Sequence, residues 1–540
     1  MAVWQIIAVI LIAGLAGIES VLDEWQWHRP LLASTLIGLV LGHLATGLAV
    51  GATLELIALG WMNIGAAQSP DTALASVIAA LLAIRGGNDV NQAIAIAIPL
   101  AVAGNLLTVL VRTITVYFQH LGDRLSKQSG RHYLGQLNFL ALSLQALRVA
   151  VPAAVFTIFV SPNMIMSMFH FLPKFLTDGF TAASGFIVVV GYAMVIRSLE
   201  VGKLMPYFFL GFLVADFSKI TLVGTGLLAI AFAALHVRVW ANRGDLGVQM
   251  GTADGNGAEL SAATDTGTQG TTRRLPRRVM WRTFWRSQFL QASWNYERMQ
   301  GLGYGYILEP TIDYLSGSHS DLGAARKLRH IEFFNTQPYF ANLVTGINMA
   351  LEERLAEGDE KYDRLVTSIK LGMMGPLAGV GDSIFWGTLR PLLASIGATI
   401  ALGGNIMGPI FFFVAWNILR LGVRYGLLEY GYRLGTRIVG VIATGVLRQA
   451  TEAATIVGLI VMGALVANWA NIRFAVSWRV HGQTMTLNHL IDTLLPKLPE
   501  LLLVFIVLWL LRRGWSSVWV ILALFFFAIF GVWIHLLSPT

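Results

Sequence analysis

A series of long apolar runs limits what this chain can fold into: Met1 to Gly17, Leu31 to Gly60, Ala93 to Tyr117, Tyr207 to His236, Gly404 to Leu419, Ala453 to Ala467, Leu501 to Leu511 and Val518 to Leu537. A helix crossing the hydrocarbon of a bilayer needs about 20 predominantly apolar residues, and these runs approach or reach that length. A large soluble helical protein would show narrow apolar stripes instead, because its other faces meet water. Composition agrees. Of 540 residues only 13% are charged, where a soluble chain carries about 25%. The chain reads as an all-α integral membrane protein crossing its bilayer many times.

The formal charge of +8 brings nucleic acid to mind, but its placement argues for no nucleic acid partner. Basic residues gather between apolar runs: Arg124, Lys127 and Arg131; Arg273, Arg274, Arg277 and Arg278; Arg512 and Arg513. Cytoplasmic loops have that bias, and their partners are acidic membrane lipids or an acidic protein. The Arg512–Arg513 turn then leaves the C-terminus outside. With no cysteine, disulfides, thiolate metal sites and cysteine nucleophiles are excluded. The 11 histidines show no metal spacing such as HExxH, and GPLAGVGD lacks the GK[ST] of a phosphate-binding loop, so neither metal nor cofactor is expected. The first run has no basic residues before it and is followed by Glu19, Asp23 and Glu24. It reads as a retained helix rather than a cleaved signal.

One composition shift divides the chain. From about residue 242 to 279 it is polar, GTADGNGAELSAATDTGTQGTT running into RRLPRR, and too poor in apolar residues to bury a core. This predicts two polytopic units, 1–241 and 280–540, joined by a flexible cytoplasmic linker. The second unit opens on charge and aromatics from Met280 to Tyr362, the pattern of interfacial or cytoplasmic helices. Within it LEERLAEGDEKYDRL reads as water-facing.

Three polar clusters interrupt the apolar pattern. In GIESVLDEWQWHRP, Glu19, Asp23 and Glu24 with His28 and Arg29 form either a solvated loop or a set of groups reaching into a site. In WMNIGAAQSPD, the residues Trp61, Asn63, Gln68 and Asp71 surround glycine and proline, with Glu55 nearby. An ionisable group at membrane depth costs several kcal/mol unless paired or solvated. Irregular backbone there is tolerated only inside protein or along a wet cavity. In GMMGPLAGVGDSIFWGTLRPLLASIG, glycines and prolines bracket Asp382, Phe385, Trp386, Thr388 and Arg390; an Asp382–Arg390 ion pair between helices is the plain reading and a binding site the functional one. The last two clusters share a plan, which predicts broken or re-entrant helices and raises the expectation of an inverted repeat relating the two units.

The chemistry suits a sugar. Its hydroxyls want carboxylate and amide partners such as Asp71, Gln68, Asn63, Asp382 and the hydroxyl of Thr388, while its C–H faces pack on Trp61, Phe385 and Trp386. A cation site would also use carboxylates, so an ion-coupled secondary transporter stays open as a different class.

These segments resemble a known family. GIESVLDEWQWHRPLL and GATLELIALGWMNIGAAQSPD are similar to the enzyme IIC subunit of the mannose family of the bacterial phosphoenolpyruvate-dependent sugar phosphotransferase system. FWRSQFLQASWNYERMQGLGYGYILEP, HIEFFNTQPYFANLVTGINMALEE, KLGMMGPLAGVGDSIFWGTLRPLLASIGA and the terminal hairpin resemble its enzyme IID subunit. The two usually occur as separate chains, so their fusion is a departure. The resemblance implies a multi-pass permease of the bacterial cytoplasmic membrane, assembled as a homo-trimer of the fused chain. It implies a hexose or amino-sugar substrate and a phosphorylated cytoplasmic IIAB partner that carries the donor histidine. A carboxylate beside the reacting hydroxyl, Asp71 or Glu19, would then orient it or take its proton.

Overall fold

A computed structural model describes residues 1–61, 70–87, 89–126, 133–161, 163–164, 175–176, 178–179, 182–183, 188–198, 202–218, 220, 222–244, 275–317, 320–358, 362–435, 446–480 and 483–538. The helices of the first half are α1 (Val3–Leu22), α2 (Pro30–Leu41), α3 (Leu44–Ile57), α4 (Thr72–Arg85), α5 (Val90–Ser126), α6 (Tyr133–Phe159), α7 (Val188–Ser198), α8 (Pro206–Phe217) and α9 (Leu222–Gly244). Those of the second are α10 (Arg277–Ser287), α11 (Gly301–Ser316), α12 (Asp321–His330), α13 (Ala341–Ala356), α14 (Tyr362–Gly381), α15 (Arg390–Leu402), α16 (Met407–Leu434) and α17 (Val446–Trp469). A small antiparallel hairpin, β1 (Ser477–Val480) and β2 (Gln483–Thr486), precedes α18 (Leu487–Leu494), α19 (Leu498–Arg512) and α20 (Ser517–Trp533). Among the described residues six helices are long and apolar enough to cross a membrane, and a seventh span results if the 85° bend between α18 and α19 lies within one crossing. The chain is thus an all-α membrane protein, with one short strand pair among the described residues.

Several runs expected as single crossings are split. The run from Leu31 to Gly60 folds as α2 and α3, of 12 and 14 residues, and at 1.5 Å per residue neither spans a hydrocarbon core of about 30 Å. Pro30 starts α2, and Gly42 ends it in the left-handed region at φ 77°. The two helices then pack backbone to backbone, since a Cβ on Gly38 would lie 2.7 Å from the Gly47 Cα. They form a tight hairpin of two short apolar helices. Arg29 donates from Nε to the Glu55 carboxylate at 2.8 Å and from Nη2 to the Ala58 carbonyl at 3.0 Å, which braces the hairpin's base.

The Gly/Pro cluster at Gly372–Gly397 behaves differently from a broken helix. Tyr362 to Leu402 stays helical throughout, and the segment Asp382–Leu389 widens to a π-helix. The wider turn uses i→i+5 bonds: the Arg390 N–H reaches the Phe385 carbonyl, and Thr388 Oγ1 donates to the Ser383 carbonyl at 2.9 Å. Pro391 is absorbed in the first turn of α15. The expected inverted repeat has no support in the described residues, where this cluster is unbroken helix and its counterpart opens the short helix α4. The linker residues 245–274 lie outside the described residues; Arg238 to Gly244 continue α9, and α10 begins at Arg277.

The water-facing reading of LEERLAEGDEKYDRL holds, among the described residues, for Ala356, Glu357, Gly358, Asp363 and Arg364. Leu351, Glu352 and Glu353 are buried. His330 Nε2 lies 2.7 Å from Glu352, with Arg329 on the same oxygen, and Tyr432 donates to Glu353 at 2.7 Å. The Glu352 charge is thus paired inside the protein and Glu353 is hydrogen-bonded there, neither being left to water.

The two halves share one continuous core, and polar contacts tie them. The turn after α1 inserts into the second half. Gln291 donates to the Leu22 carbonyl at 3.0 Å, Tyr339 to the Asp23 carbonyl at 2.6 Å and Trp416 to the Glu24 carbonyl at 3.0 Å. Arg420 donates to the Glu24 carboxylate at 2.7 Å, and Arg424 takes its other oxygen. A second strip joins Asn138 to the Phe289 carbonyl (3.1 Å), Ser293 to Asn138 (2.6 Å) and Arg298 to Asp123 (2.8 Å).

Candidate sugar chamber between the halves

Helix α1 ends where Asp23 adopts φ 53° and Gln26 follows at φ 68°, conformations that L-residues rarely take. Local hydrogen bonds hold them there. The Gln26 N–H donates to the Glu19 carboxylate at 3.0 Å, and Gln26 Nε2 donates to Asp23 Oδ1 at 2.7 Å. The turn so formed directs Asp23 into a polar chamber of about 150 Å³ between the halves. Ser20, Val21, Asp23 and Arg112 from the first half line it, and the second half contributes Gln291, Trp294, Gln300, Asn335, Thr336, Pro338, Ala378, Asp382 and Trp386. A smaller cavity of about 30 Å³ adjoins it, sharing Ser20, Val21, Asp23 and Arg112 as a common wall. Trp61, Asp71, Asn105, Gln145 and Arg148 lie around that second space.

Asp71 and Asp382, expected around one pocket, therefore line two cavities that share a wall. Asp71 caps α4, accepting the Leu74 N–H at 3.2 Å, and is ion-paired with Arg148. Arg148 also donates to Thr108 at 2.7 Å and Ser20 at 2.5 Å. Asp382, at the start of the π-helical segment, has no ion pair or hydrogen bond among the described residues. The ion pair expected between Asp382 and Arg390 is replaced by another: Arg390 donates to Asp23 at 2.9 and 3.1 Å. Its guanidinium lies over the Trp386 ring, 4.4 Å from the centroid.

The remaining sequence candidates divide. Trp61 lines the smaller cavity and Trp386 the larger. Asn63 and Gln68 lie outside the described residues. Phe385 packs edge-on against Tyr339, ring centroids 4.6 Å apart, and Thr388 spends its hydroxyl on the Ser383 and Ala454 carbonyls. Neither lines either of these two cavities. Glu19 also lines neither, since its carboxylate serves the turn.

Sequence reading missed Arg112, Gln291, Trp294, Gln300, Asn335 and Thr336. Arg112 was legible: a lone cation inside the apolar run Ala93 to Tyr117 is an intramembrane charge, which is a functional signal by itself. The others sit in turns of a segment that composition alone marks as interfacial. Nothing in their spacing places them beside α1.

Comparison with known proteins supplies the family for each half. Residues 3–235 match the family described as the PTS system sorbose-specific IIC component, and residues 274–537 match the PTS system mannose/fructose/sorbose family IID component. The sorbose-specific EIIC component of Klebsiella pneumoniae is 52% identical over 235 residues, 44% of this chain and 88% of that protein. The mannose-specific EIID component of Escherichia coli O6:H1 is 43% identical over 279 residues, 50% of this chain and 97% of its own. A solved chain of the mannose transporter ManYZ in complex with microcin E492 is 41% identical, covering 49% of this chain and 98% of that one, with a TM-score of 0.30.

Proposed function

The chain belongs to the mannose/fructose/sorbose family of phosphotransferase-system membrane components, with IIC and IID components in one polypeptide, and we propose that it imports a hexose or amino sugar through the chamber between its halves. It is a multi-pass protein of the bacterial inner membrane. The observation that carries the proposal is the chamber itself: a monosaccharide-scale space at the junction of the two components, walled by amides, hydroxyls, carboxylates and two indole rings. Sugars need that mixture, hydrogen-bond partners for hydroxyls and flat apolar faces for ring C–H groups.

In this reading Asp382 accepts from sugar hydroxyls, Gln291, Gln300 and Asn335 add amide partners, and Trp294 and Trp386 supply the apolar faces. Asp71, held by Arg148, orients the sugar where the chamber meets the smaller cavity. Glu19 acts at one remove by shaping the turn that presents Asp23. The phosphoryl donor is a phosphohistidine on a cytoplasmic IIAB partner. Its P–N bond breaks as the sugar hydroxyl forms the new P–O bond, and the hydroxyl proton passes to the departing imidazole nitrogen, which leaves with the P–N electron pair. Transfer of this kind rests on positioning and charge stabilisation. The doubly charged ester cannot recross an apolar barrier, so import is trapped without an ion gradient. The chain works as two units, 1–241 and 280–540, tethered through residues 242–279 and assembled as a homo-trimer.

Proteoliposomes holding the full chain test this directly. With phosphorylated IIAB inside, labelled hexose appears in the lumen as sugar phosphate. Accumulation of free sugar driven by a proton or sodium gradient, with no partner present, would overturn the proposal in favour of a secondary transporter.

A further inference from the structure

Four of the arginines inside this protein are matched by carboxylates: Arg29 by Glu55, Arg148 by Asp71, Arg390 by Asp23, and Arg420 by Glu24. Arg112 stands apart. It is 4% exposed and has no carboxylate partner among the described residues. It hydrogen-bonds the Tyr296 side chain and lies over the Trp294 ring, 4.4 Å from the centroid, while its Nε and Nη1 have no partner among the described residues. A buried guanidinium with open donors is costly, and this one lines both cavities at their shared wall. On the same chamber Asp382, from the other half, presents a carboxylate that nothing described engages.

Resting on the sugar-import reading, we infer that Arg112 is a substrate-binding residue, and that Arg112 and Asp382 form a donor pole and an acceptor pole that fix the orientation of the sugar. A guanidinium can only donate and an ionised carboxylate can only accept. A hydroxyl facing Arg112 must therefore act as acceptor, and one facing Asp382 must act as donor. A neutral polyol satisfies both poles at once, because each hydroxyl does either. The chamber then discriminates among sugars by the role each hydroxyl plays as well as by its position. Because each component supplies one pole, neither half alone holds the complete site.

Fluorine separates the two roles, since C–F accepts weakly and never donates. The test is calorimetric binding of the full detergent-solubilised chain to D-mannose, D-glucose and L-sorbose, and then to every monodeoxy and monodeoxyfluoro derivative of the sugar that binds best. The wild-type chain should show at least one position where the fluoro sugar recovers affinity lost by the deoxy sugar. It should show another where the fluoro sugar is as poor as the deoxy sugar or poorer. In Arg112→Met the parent sugar should bind about 10-fold or more weakly, the scale of a lost hydrogen bond to a charged group. The fluoro recovery at the first position should vanish there and persist in Asp382→Asn. A wild-type profile with no fluoro-rescued position overturns the inference without any variant having to fold, as does a rescue that survives in a folded Arg112→Met. If none of the three parent sugars binds the wild-type chain, the import reading falls and takes the inference with it. If one binds without the fluorine pattern, only the inference falls.

Discussion

At the residue scale the account rests on which buried charges are matched and which are kept for a ligand. Glu24 is 1% exposed at its side chain and is held by Arg420 and Arg424, both fully buried. Removing it would take away the carboxylate that is ion-paired with both buried cations. Glu24→Ala should therefore cost about 3–5 kcal/mol, the range for breaking a buried pair; a thermal melt of the solubilised chain unchanged from wild type would contradict this. Asp382 has no ion-pair or hydrogen-bond partner among the described residues to abandon, so Asp382→Asn should leave the melt unchanged and weaken sugar binding about 10-fold or more, read by calorimetry. Glu19 gives a third discrimination. A glutamine oxygen still accepts the Gln26 N–H, so Glu19→Gln should keep uptake in proteoliposomes; complete loss would mean that the carboxylate handles a proton. These assignments were partly legible in the sequence. Asp71, Asp382, Trp61 and Trp386 stood out because polar or aromatic groups beside glycine and proline conflict with an apolar helix. The partners of Asp23 and Asp71 were not legible, because Arg390 and Arg148 lie far away in sequence and come together only through helix packing.

At the scale of elements the apolar runs announced helices and said less about where helices stop. The run Leu31 to Gly60 is predominantly apolar, and its division into α2 and α3 turns on Gly42 and on the glycines that let the two helices touch. A Cβ at Gly47 would stand 2.7 Å from the Ser34 carbonyl and 2.8 Å from the Gly38 Cα. Gly47→Val should force the hairpin apart at a cost of about 1–3 kcal/mol, the usual penalty for overpacking, and a melt equal to wild type would show that the helices do not pack this closely. The cluster around Asp382 teaches the opposite lesson. Glycine and proline there predicted a break, but a π-helical turn keeps the helix whole, with the Arg390 N–H bonded to the Phe385 carbonyl and the Thr388 hydroxyl to the Ser383 carbonyl. That local widening sets Asp382 and Trp386 on the chamber wall while Phe385 and Thr388 turn into the packing.

On the scale of the whole molecule, fusion adds to an interface that is already interlocked. The turn after α1 is gripped by Gln291, Tyr339, Arg390, Trp416, Arg420 and Arg424 from the other half. The role expected of the tether is then to raise the effective concentration of one component beside the other. Cleavage between residues 245 and 274 by a protease site placed there should leave both fragments co-eluting on size exclusion, with uptake retained; separation of the fragments would show that the linker holds the halves together. The central claim is that the sugar sits at the junction, touched by both components. A density map of the full chain with its bound sugar tests it most directly. The ring should lie between Trp294 and Trp386, with Arg112 from one half and Asp382 from the other in hydrogen-bond reach. A sugar held wholly within one half, out of reach of one of these two residues, would contradict the account.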